Sequence, residues 1–239
     1  LVPVQNTEKE RIRCASEIFN TLKSILKGYH LSTGVGDEGG FAPDLKNNEE
    51  ALMILVKAIT ESGYTPGTDV FFALDVAASE LYDGNNYLVD GKKLSKEELF
   101  DYYVDLIKKY PIISIEDPFE ENDYESFSKL TKYFNGKIMI VGDDLFVSQK
   151  KYLEKGIELG AGNAILLKAN QVGSVTEFLD TIYTAKKNGY KTIISHRSGE
   201  TMDTFIADLG VGLNLDFIKT GSVSRGERIC KYNRLMEIE

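Results

Sequence analysis

The chain has 239 residues, 37 acidic against 28 basic side chains and a formal charge of −9, a balance that leaves no basic stripe for nucleic-acid phosphates. It is 42% hydrophobic and 27% charged, as ordinary globular proteins are, and no apolar run approaches the roughly 20 residues that insertion across a membrane requires. Two cysteines and two histidines (Cys14, Cys230, His30, His196) cannot build a thiolate zinc cluster or a disulfide framework, and no signal peptide opens the sequence; a reduced, cytoplasmic setting is expected.

In chain order, LVPV reads as the tail of a strand. Thr7 and Glu10 then open a helix whose apolar stripe is Ile12, Ala15, Ile18, Phe19, Leu22, Ile25 and Leu26, with Gly28 as its stop. A second helix is predicted from about Asn48 to Ser62. Six strand-length runs follow: VFFALD (70–75), PIISIED (111–117), KIMIVGDD (137–144), NAILLK (163–168), KTIISH (191–196) and DFIKTG (216–221). Each is apolar on consecutive positions, as burial on both faces of a parallel sheet requires. Ser95 with Glu98, and Ser174 with Glu177, have capping-box spacing at the starts of intervening helices, and Gly189 supplies a C-terminal stop.

Strand and helix alternate without a long linker, which predicts one α/β domain over 1–239. Each strand run finishes at a reactive residue: Asp75, Glu116, Asp143, Lys168, His196 or Lys219. An open doubly wound sheet would spread these along an edge, whereas a barrel gathers them around its C-terminal mouth. The expectation is therefore a TIM-type (β/α)8 barrel of which six strands and a fragment are counted, with its amino end missing.

The acids Asp75, Glu116 and Asp143 would repel one another at such a mouth unless a hard cation shared them, and Mg²⁺ is the expected choice. Taken singly, each could equally be a strand-end acid bonded to loop N–H groups. Lys168 closes a run too apolar for an exposed lysine; it is either a buried ion-pair partner or a base. SHRSGE (195–200) and KTGS (219–222) combine Arg197, Ser198 and Lys219 with glycine turns suited to a phosphate or carboxylate. Gly34, Gly36 and Gly39 satisfy G-x-G-x-x-G, yet Asp37 and Glu38 would repel a pyrophosphate and Pro43 interrupts the helix that should follow. That segment reads instead as a flexible loop presenting an acid, or as a plain tight turn. His30, at a helix exit, reads as a surface residue.

Seven segments, GVGDEGGFAP, ALDVAASELY, SIEDPF, VGDDLFV, LLKANQVGSVTE, SHRSGETMDTFIADL and IKTGSVSRGERICKYNRL, together resemble the enolases across almost the whole chain. The resemblance implies the enolase barrel, here expected to lack its first strand, most of its second and the N-terminal capping domain that precedes it in the family. It also implies Mg²⁺-dependent reversible dehydration of 2-phosphoglycerate to phosphoenolpyruvate in glycolysis and gluconeogenesis. By motif, Asp75, Glu116 and Asp143 look like metal ligands, Lys168 like the proton acceptor and Glu38 like the proton donor. Arg197 and Ser198 resemble phosphate contacts, and His196, Lys219 and Lys168 substrate contacts. A homodimer is implied. Two alternatives stand beside dehydration: a non-catalytic role of a surface or secreted pool that binds plasminogen, which no internal lysine stretch demands, and another proton-abstracting barrel of the same superfamily. Met202 stands where the family carries an acid.

Overall fold

A computed structural model describes residues 1–239. In chain order the elements are β1 (Val2–Pro3), α1 (Glu8–Gly28), α2 (Asn48–Glu61), β2 (Val70–Asp75), α3 (Ala78–Leu81), β3 (Tyr87–Val89), β4 (Lys92–Leu94), α4 (Lys96–Lys109) and β5 (Ile112–Glu116). They continue as α5 (Tyr124–Phe134), β6 (Met139–Gly142), α6 (Lys150–Leu159), β7 (Ala164–Leu167), α7 (Val175–Lys187), β8 (Lys191–Ser195), α8 (Phe205–Gly212), β9 (Phe217–Lys219) and α9 (Gly226–Ile238). Two compact units form: one from Leu1–Phe71, His196–Asn214 and Lys219–Glu239, the other from Phe72–Ser195 and Leu215–Ile218.

In the second unit the six predicted strands stand in the order β2-β5-β6-β7-β8-β9. The pairings from β2 through β8 are all parallel. Successive strands are neighbours with helices between them, the sequential order of a βα barrel. All four residues of β7 are buried, as the unbroken apolar run predicts. Val141, Ala164, Leu166 and Ile193 form a core cluster against which Met139 and Phe217 pack. A short β3–β4 hairpin, which the apolar runs did not predict, turns at Asp90-Gly91 with both residues at positive φ.

The helix ends follow local chemistry. Ser95 and Glu98 complete a reciprocal capping box on α4. At α7, Ser174 accepts the Glu177 N–H, but its hydroxyl donates to the Glu177 carboxylate, so only half of the predicted box forms. Gly189, at φ 74°, follows α7 as expected.

The first unit holds α1, α2, α8 and α9. LVPV does contribute a strand, but β1 pairs antiparallel with the start of β2, Val2 opposite Phe71 and Pro3 opposite Val70. That pair departs from an all-parallel arrangement. After α1, the left-handed position falls on exposed His30, at φ 57°, and Gly28 remains the last helical residue. No helix is long and apolar enough to cross a membrane.

Candidate active-site residues

The second unit carries the predicted acids and the lysine. Asp75 and Glu116 end adjacent parallel strands and lie directly opposite in register. Glu116 in turn faces Val141 across β5 and β6, two residues before Asp143. Neighbouring strands lie about 4.8 Å apart, so the three acids occupy successive strand ends. Glu116 and Asp143 are buried, while Asp75 is exposed and accepts the Ala77 N–H at 3.2 Å.

Asp143 and Lys168 meet. The Lys168 Nζ donates to Asp143 Oδ2 in a close ion pair, with side-chain exposures of only 16% and 11%. Lys168 follows β7 by one residue, and its own N–H is held by Ser148 Oγ at 2.8 Å. The ion-pair reading of this lysine is thus realised in the structure.

Two acids join the group that motif reasoning did not single out. Asp117, Asp143 and Asp144 each offer a carboxylate oxygen within 4.8 Å of the others, a set that could hold a metal ion. Strand alternation would turn Asp144 away from Asp143 only if the strand continued; β6 ends at Gly142, so alternation stops before it applies. Buried Asp117 accepts the Asp143 N–H at 2.9 Å and the Asp144 N–H at 2.8 Å, one on each oxygen. Burial pushes its carboxyl up to about 7, against the pull of those two N–H groups. All candidate ligands are carboxylates, the donor type that suits a hard divalent cation.

The first unit carries the predicted proton donor and the anion-contact residues. The loop from Gly34 to Pro43 is pinned rather than loose. Ser222 N–H donates to Glu38 O at 2.8 Å, Ser224 Oγ to Gly39 O at 2.7 Å, and Arg225 Nε to Gly36 O at 2.8 Å. The loop carries no dinucleotide-type helix start, consistent with rejection of its glycine pattern.

Glu38 presents its carboxylate to buried His196, Nε2 to Oε2 at 3.3 Å, and to Ser198 Oγ at 3.4 Å. The bond from His196 holds the Glu38 carboxyl at about 2, with smaller help from Lys219 and Arg228 and against partial burial. His196 N–H donates to Lys219 O at 2.9 Å, which ties the end of β8 to the end of β9. Arg197 is half-buried and Ser198 exposed. Met202 is exposed as well.

Arg228 escaped motif reasoning. It is fully buried at the start of α9, and its guanidinium lies among His196, Arg197, Ser198 and Asp37. A fully buried guanidinium is a tertiary fact that a single sequence does not display.

Parallel strands alternating with helices in sequential order, with ionisable groups at the strand ends, define an α/β domain of the barrel class. Within that class the assignment is specific. The family model described as "Enolase, C-terminal TIM barrel domain" matches residues 1–239, and the chain belongs to that family.

Proposed function

We propose that the chain carries the dehydration chemistry of 2-phosphoglycerate, with Asp75, Glu116 and Asp143 as the Mg²⁺ ligands. The observation that carries the reading is the Lys168–Asp143 contact, a candidate base set against a candidate metal-ligating acid at adjacent strand ends in an enolase-family domain. Asp117 is assigned a different task. Both of its oxygens already hold backbone N–H groups of Asp143 and Asp144, so it orients the acid beside Lys168. A divalent cation bound by the three carboxylates would offset their repulsion and stabilise negative charge developing on a substrate carboxylate.

Lys168 takes the proton from carbon 2, and the electron pair left behind spreads into the adjacent carboxylate. As the carbon–carbon double bond forms, the hydroxyl on carbon 3 leaves with a proton from Glu38 as water. Arg197, Ser198 and Lys219 bind anionic groups of the substrate. A carboxyl held at about 2 is ionised at neutral pH, so Glu38 must gain its proton when an anionic substrate raises that value.

Incubation of the protein with 2-phosphoglycerate and Mg²⁺ tests the reading, followed by proton NMR for the vinyl signals of phosphoenolpyruvate. Their appearance only with Mg²⁺ is expected. Their absence with Mg²⁺ and substrate in excess would contradict the assignment.

A further inference from the structure

Arg228 donates from one terminal nitrogen to Arg197 O at 2.7 Å and from the other to Ser198 O at 2.7 Å and Asp37 O at 3.0 Å. Its fourth contact is to His196 Nδ1, at 2.6 Å. A guanidinium has five N–H donors and no acceptor, and it keeps its proton in proteins. At that distance Nδ1 can only be the accepting lone pair. The neutral ring must then carry its proton on Nε2, the nitrogen that faces Glu38 Oε2 at 3.3 Å. We infer that Arg228 is a positioning residue: it fixes His196 as the Nε2–H tautomer and so sets which ring nitrogen, with its proton, stands on the Glu38 side.

The surroundings hold the fork in place. The Arg228 side chain is only 1% exposed. Its stem runs against Gly221, where a Cβ would stand 2.9 Å from Arg228 Cδ and 2.6 Å from Glu38 O. Through Asp37 O and Ser198 O the same guanidinium spans the two loops that carry Glu38 and Arg197-Ser198. A lysine has the charge but not the planar fork, so it cannot hold three carbonyls and a ring nitrogen in this array. The consequence for catalysis rests on the function proposed above; the tautomer does not.

The chain has two histidines, which makes the test direct. With ¹⁵N-labelled histidine, two-bond ¹H–¹⁵N correlation spectra report which ring nitrogen carries the proton, and His30→Gln assigns the signals. At about pH 8, above the ordinary imidazole value of ~6.5, His196 is expected to show a protonated Nε2 and a bare Nδ1. A proton on Nδ1, on both nitrogens, or averaged between them would overturn the inference. Arg228→Lys, checked for folding by a thermal melt, is expected to lose the single-tautomer pattern; a folded variant that keeps it would equally overturn the role. If that variant does not fold, the wild-type spectrum still decides. Neither spectrum requires turnover, so a wrong substrate assignment and a wrong tautomer fail separately.

Discussion

The Lys168 ammonium rests on Asp143 Oδ2, one residue past the ends of the neighbouring strands β7 and β6, with both side chains largely out of water. Removing one member of such a pair strands the other, at a cost of about 3 kcal/mol or more. Lys168→Ala is therefore expected to lower the denaturant midpoint. Adding Asp143→Asn should recover part of the loss. Strictly additive losses in the double variant would mean that the two groups are not coupled.

Gly221 tests the packing around Glu38. Its φ of 81° already disfavours a side chain, and a Cβ would collide with Glu38 O. Gly63 has a similar φ of 85° but open space around it. Gly63→Ala should cost about 1 kcal/mol in urea unfolding, the backbone share alone. Gly221→Ala should cost distinctly more, about 2–4 kcal/mol. Equal losses would show that the loop from Gly34 to Pro43 yields freely.

The Glu38 carboxyl has a depressed value, from 4.5 to about 2, chiefly through its bond from His196. The sign follows from linkage: the stabilisation is fully present above the unfolded value and is lost as pH falls through the folded one. The stability gap between wild type and Glu38→Gln should therefore close between about pH 5 and about pH 2. Glu38 is half-exposed, so solvent screening keeps that gap small. A direct ¹³C titration of the carboxyl is the sharper measurement; a midpoint near 4.5 would remove the His196 contact from the account.

The metal assignment separates two overlapping acid sets, Asp75/Glu116/Asp143 and Asp117/Asp143/Asp144. Calorimetric titration with Mg²⁺ should show affinity reduced about tenfold or more by Asp75→Asn and by Asp143→Asn, but altered by less than about twofold by Asp144→Asn. The reverse order for Asp75 and Asp144 would move the site to the second set.

Much of this layout was legible in the residues because it depends on local chemistry. Continuous apolar runs marked the six strands β2 and β5 to β9, and Ser95 and Gly189 marked helix ends at the positions observed. Asp90-Gly91 is itself a two-residue hairpin signal, overlooked because KKL is too polar to read as a strand. The antiparallel pairing of β1 sets Val2 opposite Phe71 and Pro3 opposite Val70, partners far away in sequence that no local pattern encodes. The place of Asp144 beside Asp117 and Asp143 was not legible, because period-two alternation ends with β6 at Gly142. Arg228 was missed because its four acceptors come from two stretches of chain far from it in sequence, around Asp37 and from His196 to Ser198, and only folding brings them together.

Solvent-deuterium exchange at carbon 2 of 2-phosphoglycerate isolates the step assigned to Lys168. In wild type with Mg²⁺, NMR should show loss of the carbon-2 proton signal. Lys168→Ala that remains folded should slow this by about 10²–10⁴-fold, the usual worth of a positioned base. Exchange at the wild-type rate in the folded variant would contradict the account and leave Lys168 as an ion-pair partner of Asp143 alone.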